Sequence, residues 1–241
     1  MVGAGAKTRS RPADKPDRTE VLRDRVYGGL RDELIRGRYL PGEKLTIRAL
    51  AAEHGTSLTP VREALYRLLA EGVLEGEANR SVRIPMINGG KVRELRDIRI
   101  ANEGLAAARA AENITAAELK RLRVVAAELA AARERGAVDL DMLKLTEFQL
   151  GVYRASHMPQ LMRIIESLWL QTGPYLRLLY PGYIRTVKSR RGDWRARVCA
   201  ALEAHDAAAA RREIEYDVGD ALEYLATLAD TAEMMGARAA R

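Results

Sequence analysis

The sequence predicts a mainly α-helical protein in two parts: an N-terminal winged helix-turn-helix unit and a C-terminal all-helical antiparallel bundle. Three observations carry this. Residues 46–84 read as a helix, a tight turn, a second helix and a short hairpin. After Gly89-Gly90 the chain changes character, with five or six long amphipathic helical patterns and no strand pattern. The hydrophobic content of 47% is rich in Ala and Leu, which favour helix and suffice for cores in a chain of 241 residues.

In chain order, residues 1–18 combine Gly, Pro and charge with almost nothing apolar, so a disordered tail is expected. Residues 19–38 follow as a helix, capped by Thr19, with Val21, Leu22, Val26, Leu30, Leu34 and Ile35 on its apolar face. Gly37 ends it, and residues 39–45 form a turn around Pro41-Gly42. The first motif helix opens at Thr46 and breaks at His54-Gly55-Thr56. Ser57 and Thr59 are N-cap residue types, and Pro60 suits a first helical turn, where a missing N–H costs nothing. Val61, Leu65, Leu68 and Leu69 then make one apolar stripe, and Gly72 stops the helix. Val73-Leu74 and Val82-Arg83-Ile84 are the hairpin strands, joined by a polar turn with Arg80 at its tip. The winged unit so defined spans residues 19–87.

The second unit spans 88–235. Its helices are expected near 91–112, 115–135, 138–156, 158–180, 186–205 and 206–235, with an interruption at Gly173-Pro174 and a break at Pro181-Gly182. Thr115-Ala116-Ala117-Glu118 has capping-box form. Helices of this length on short loops pack as an antiparallel bundle.

The formal net charge of +7 and a pI near 9.7 are compatible with nucleic acid as a partner. The winged part is the more basic per residue: 16 Lys and Arg against 12 Asp and Glu in residues 1–90, compared with 24 against 21 in residues 91–241. One cysteine, Cys199, excludes an intramolecular disulfide, and its apolar neighbours mark it as a small core residue, with a redox sensor as the other reading. No 18-residue apolar run exists and the basic N-terminus lacks an apolar core, so neither a membrane span nor a secretory signal is expected, and a cytoplasmic setting is.

These residues resemble the GntR family of bacterial transcription regulators, in the fatty-acid-regulator-like branch with an all-helical effector domain of the FCD type. Gly37-Arg38-Tyr39-Leu40-Pro41-Gly42-Glu43-Lys44-Leu45 is similar to the family's G-x-x-x-P-G-x-x-L segment. Ile47-Arg48-Ala49-Leu50-Ala51 and Thr59-Pro60-Val61-Arg62-Glu63-Ala64-Leu65 resemble its two motif helices, and the resemblance runs on to Ala210. It implies double-stranded DNA as partner, a homodimer on a palindromic operator, and a small-molecule effector in the bundle. Residue by residue, it implies that Arg48 and Arg62 reach guanine edges and phosphates, a role a bidentate guanidinium suits. Ser57 and Thr59 match hydroxyl positions that bond phosphate, and Arg80 matches a minor-groove contact. Arg67, at the far end of the helix, reads as solvated. Leu58 departs from the pattern, since many relatives carry a base-reading arginine there.

Many members of this branch hold a divalent metal with one Asp and three His. Aligning Phe148-Gln149 and the segment Ala155–Leu161 with the family pattern puts Gln149 at one ligand His and Leu145 at the Asp. The register of Val198, Leu202, Asp206 and Ala210 puts Arg195 and Asp217 at the other two. All four ligand positions have changed, so no metal or other cofactor is expected. The three histidines, His54, His157 and His205, read as turn or surface residues. Arg195 then has three readings. It binds a carboxylate effector in place of the cation, it pairs with Asp217 as a structural substitute for the metal, or it is an exposed charge. Arg99, in an Arg99…Glu103 pattern on the first bundle helix, is a second candidate cation facing the pocket, so that Arg99, Gln149, Arg195 and Asp217 form the expected effector set.

Repression is the family's commoner outcome and is the expectation here. The alternative function is a helical-bundle enzyme or small-molecule carrier whose winged unit mediates protein contacts. Against an enzyme, the sequence offers no nucleophile–base pair and no phosphate-binding glycine loop.

Overall fold

The computed structural model describes residues 18–77, 81–180, 182–184 and 192–239. The tail expected over 1–18 and the hairpin tip with Arg80 therefore lie outside the described residues, except for Arg18, which opens the first helix.

Helix α1 (Arg18–Ile35) ends with its apolar face at Ile35, three residues short of the expected 38. Gly37 takes φ 64°, and its N–H and that of Arg38 bond back to Leu34 and Glu33 at 3.0 Å each. A left-handed residue just past a helix satisfies the last free carbonyls this way, and glycine adopts it without a steric cost. Strand β1 (Lys44–Leu45) follows where a turn alone is expected. Helix α2 (Ile47–Glu53) starts at Thr46, whose Oγ1 accepts the Ala49 N–H at 3.3 Å. Helix α3 (Leu58–Ala70) has Ser57 at its N-cap position, buries Pro60, Val61, Ala64, Leu65 and Leu68, and closes on Gly72 at φ 70°.

Strands β2 (Glu75–Gly76) and β3 (Val82–Arg83) complete a three-stranded antiparallel sheet in the order β1-β3-β2. Glu75 faces Arg83 and Gly76 faces Val82, so the outer strand lies two residues beyond the expected Val73-Leu74. Those two side chains are instead buried, at 3% and 4% exposure, and pin the chain to the core before pairing begins. Burying an apolar pair outweighs a ladder that can start two residues later.

The bundle starts at helix α4 (Gly89–Asn113), capped by Asn88, whose Oδ1 accepts the Lys91 N–H at 2.9 Å. Helices α5 (Ala116–Glu134), α6 (Val138–Arg154), α7 (Pro159–Leu176), α8 (Trp194–Glu203) and α9 (Ala207–Ala239) follow, with a 3₁₀ turn at Arg177–Leu179. Both halves of the Thr115/Glu118 capping box are formed. Pro174 does not interrupt α7: the helix runs through it to Leu176 with Gly173, Pro174 and Tyr175 buried. Helix α8 begins at Trp194 rather than near 186, with Asp193 as its cap, its Oδ1 accepting the Ala196 N–H at 3.3 Å; residues 185–191 are outside the described set.

Helix α9 is 33 residues long and runs against α4 as the spine of the bundle. Arg93 ties the pair to Asp230 at 2.7 Å, and Arg96 bonds Glu223. Phe148, Tyr153, Trp169 and Trp194 are fully buried between the helices, with Phe148 and Trp194 edge to face at 5.6 Å. The core is continuous with that of the winged unit. At the seam, Arg177 Nε donates to the Gly37 carbonyl at 3.2 Å and the Tyr175 hydroxyl donates to the Pro85 carbonyl at 3.3 Å.

Candidate nucleic-acid interface and the polar centre of the bundle

Helix α3 turns one face into the core, which leaves Leu58, Thr59, Arg62 and Tyr66 on the other. Residues at i and i+4 stand on one helical face, so 58, 62 and 66 form a stripe, with Thr59 beside it. Arg48, near the start of α2, is also exposed. Ser57 occupies the N-cap position without a side-chain capping bond, so its hydroxyl is left to other partners. These four expected contact residues, Arg48, Ser57, Thr59 and Arg62, are all exposed on the two motif helices or the turn between them.

Charge pairing divides the cations of the winged unit. Arg23 meets Glu63 at 2.7 Å, Arg38 meets Glu33 and Glu53, Lys44 meets Glu77, and Arg83 meets Glu75 and Glu77. Arg48 and Arg62 make no ion pair among the described residues. An arginine with no internal carboxylate keeps its full charge for a phosphate or a guanine. Arg67 is exposed, as its expectation as a solvated charge requires, and it also makes contacts that the sequence does not announce. Its guanidinium lies 3.7 Å from the Tyr27 ring centroid, with Asp24 at 3.5 Å and Glu71 at 3.8 Å. Helices α1 and α3 meet there, and Arg67 serves as the clamp between them.

In the bundle, the four expected effector residues separate. Gln149 and Asp217 come together, the Gln149 amide donating to Asp217 Oδ2 at 2.9 Å, with both side chains buried. Leu145 packs one turn away, also buried. Arg195 does not take Asp217 as its ion partner: its Nε reaches Asp193 at 2.9 Å. The cause is local, since Asp193 caps the helix that Arg195 enters, two residues away. Arg195 is 7% exposed and its Nη1 is buried with no hydrogen-bond partner among the described residues. Beside it opens a cleft of about 230 Å³ lined by Arg133, Glu134, Gly192, Asp193 and Trp194. Arg133 grips Asp141 with two bonds of 2.9 and 3.0 Å.

Arg99 is spent internally. Its Nε and Nη2 donate to the two oxygens of Glu103 at 2.5 and 3.2 Å, and its Nη1 donates to Thr172 Oγ1 at 2.8 Å. Glu103, at 0% exposure, also accepts from the Tyr153 hydroxyl at 2.5 Å and Trp169 Nε1 at 3.1 Å. Arg99 stacks 4.6 Å from the Trp169 ring centroid. Burial, then the neighbouring Glu103 charge, push the Tyr153 phenol well above its ordinary pKa, so it stays a donor. All three nitrogens of Arg99, expected as a ligand cation, have partners within the chain, and as placed it acts as a strut. Sequence reading named Glu103 only as the end of a pattern and missed Tyr153, Trp169, Thr172 and the Arg133–Asp141 pair. The i,i+4 spacing of Arg99 and Glu103 was the one available signal.

The donors at the metal positions do not fit a divalent transition metal. A leucine has no lone pair to give, a guanidinium only donates hydrogen bonds, and the Asp217 carboxylate accepts from an amide. Among the described residues, no group of three or more His, Cys, Asp and Glu is placed to hold an ion. His157 and His205 sit at φ 55° and 53° in turns between helices, and His54 is the C-cap of α2. Burial pushes the Cys199 thiol up to about 11, so it is a protonated core group at neutral pH. No helix among the described residues is long and apolar enough to cross a membrane.

Comparison with known proteins agrees with this geometry. The family model for bacterial regulatory proteins of the gntR family matches residues 22–84, and that for the FCD domain matches residues 94–219. The HTH-type transcriptional regulator McbR of Escherichia coli (strain K12) is 35% identical over 155 residues, 64% of this chain and 70% of that protein. A probable D-xylose utilization operon transcriptional repressor of Paenarthrobacter nicotinovorans is 31% identical over 157 residues, 63% of this chain and 68% of that protein. The solved structure of E. coli McbR superimposes with a TM-score of 0.79 at 30% identity, covering 86% of this chain and 98% of that one. A GntR regulator from Rhodococcus sp. RHA1 shares the fold, with a TM-score of 0.65 at 19% identity over 85% of this chain and 97% of that one.

Proposed function

The chain belongs to the GntR family of bacterial transcription regulators, with an FCD effector domain, and from that premise we propose that it is a ligand-responsive repressor. In this reading it binds a palindromic operator as a homodimer and holds a carboxylate-bearing effector in the bundle without a metal ion. The observation that carries the DNA half is the exposure of Arg48 and Arg62 on the two motif helices with no ion pair among the described residues, while Arg23, Arg38, Lys44 and Arg83 are paired with carboxylates. A two-fold dimer suits an inverted repeat. The effector half rests on the unpartnered Arg195 Nη1 beside the cleft, where a guanidinium stands in place of a metal cation. Three names among the relatives include a repressor's role, which supports the sign of regulation. A protein that reads operator DNA works in the cytoplasm.

The enzyme or carrier reading weighed from the sequence gives way, because the relatives and fold neighbours are transcription regulators.

The seam suggests how an effector reaches the DNA-binding heads. Thr172 touches the buried Arg99, and the next residue, Gly173, lies against the α1 backbone. A shift of α7 at the polar centre is thereby a shift of α1.

Two measurements test the reading. Binding to the DNA upstream of its own gene is expected to be specific and to weaken steeply with salt. A thermal-shift screen of mono- and dicarboxylates is expected to give a stabilising hit that Arg195→Ala abolishes. Specific DNA binding with hits that survive Arg195→Ala would remove the effector half alone.

A further inference from the structure

The outward face of α3 carries a large apolar side chain that the described residues leave partly exposed. Leu58, the first residue of the helix, is 43% exposed. Arg62 stands one turn further along the same face, and Ser57 and Thr59 flank Leu58 with hydroxyls. Four residues of α-helix advance about 6 Å, close to two base-pair steps. A helix that enters the major groove by its N-terminal residues therefore brings Leu58 and Arg62 to base pairs about two apart.

The edges of the bases in that groove are mostly hydrogen-bonding groups, and the 5-methyl of thymine is the one apolar group that projects from them, cytosine having only a C5–H there. A leucine has no donor or acceptor. Facing N7, O6 or N6 it would desolvate a polar edge and return no bond, at a cost. Facing a thymine methyl it buries apolar surface on both sides. We propose that Leu58 is a specificity-determining residue that selects a thymine in each operator half-site, about two base pairs from the one Arg62 addresses. The inference rests on the DNA-binding reading above and goes beyond it by naming a base.

Tyr66, 60% exposed on the same face, supplies an internal control. It lies about 12 Å along the axis from Leu58, too far to touch the same base.

The test uses the full chain. A duplex is first selected from a randomised library, and each thymine is then replaced in turn by uracil, which removes the methyl and keeps the pairing. One symmetry-related pair of replacements is expected to weaken wild-type binding about fourfold per half-site, the value of one buried methyl. Leu58→Ala, at an exposed position, is expected to remove that sensitivity while binding the selected duplex. Tyr66→Ala is expected to keep it. Uniform affinity across the uracil series, or the same fourfold penalty in Leu58→Ala, would overturn the proposal with specific binding intact. Failure to select any sequence at low salt would overturn the DNA-binding reading itself, and this proposal with it.

Discussion

Gly173 of α7 and Leu34 of α1 meet backbone to backbone: a Cβ on Gly173 would lie 2.2 Å from the Leu34 carbonyl oxygen and 2.7 Å from Ile35 Cα. Glycine is a poor helix former, yet its place inside a buried helix is explained by this contact. No side-chain rotation relieves a clash with backbone, so the two domains would have to part.

Gly173→Ala is therefore expected to destabilise by about 1–3 kcal/mol, against the propensity trend. Gly28→Ala, in the middle of α1 with nothing within 4 Å of its added methyl, is the control. It is expected to stabilise by about 0.5–1 kcal/mol. Urea unfolding of both variants checks the pair, and equal effects would dismiss the seam.

Arg99 and Glu103 form an ion pair at 3% and 0% side-chain exposure. Arg99→Met or Glu103→Leu alone leaves a buried charge without its counter-charge and is expected to cost about 3–5 kcal/mol. The double variant is expected to cost at least about 1 kcal/mol less than the sum of the singles. A double-mutant cycle on denaturant midpoints reads this directly, and strict additivity would contradict the strut.

The capping box predicts a pH dependence. The Thr115 backbone N–H, together with the Thr115 hydroxyl and His157, holds the Glu118 carboxyl down to about 2 from an ordinary 4.5. A folded-state pKa below the unfolded one means that the unfolded chain binds more protons between those values, so stability rises with pH across that window. The contribution is full above about 4.5 and fades as pH falls toward 2. Because Glu118 is partly solvent-exposed, its worth is set by capping, about 1 kcal/mol or less. Glu118→Gln is expected to be less stable than wild type at pH 7 and to converge with it near pH 2. A gap independent of pH would contradict this.

Arg48, Arg62 and Arg67 are expected to behave as two kinds of arginine. Replacing either of the first two by Ala should lower specific affinity by about 1–3 kcal/mol for a base contact, or reduce the salt slope by about 1 for a phosphate contact. Arg67→Ala should lower the melting temperature through loss of the Tyr27 clamp and leave the salt slope unchanged. Fluorescence anisotropy across a salt series, beside thermal melts, separates them.

Much of this is legible in a single chain because its signals are local. Gly37 and Gly72 end helices through their own backbone freedom, and Thr115 and Glu118 cap through bonds three residues apart. The stripe Val61, Leu65, Leu68 declares which face of α3 is inside, and so leaves Arg62 outside. The segment from Thr46 to Ala70 was read as it folds for this reason.

The effector pocket is a different case. Gln149 and Asp217 are 68 positions apart and meet because α6 and α9 are neighbours at one register. Arg195 lies closer in sequence to Asp193 than to Asp217, and the nearer carboxylate won. Pro174 stays helical because buried packing against α1 outweighs one lost backbone bond. Strand β2 shifted because pairing was decided by where β3 passes. The sequence by itself determined the motif helices, most of the bundle helices and the outward side of α3, since backbone preference and apolar period act within a turn or two. Only the tertiary structure decided which buried charges are partners, because that choice depends on which helices adjoin and at what height.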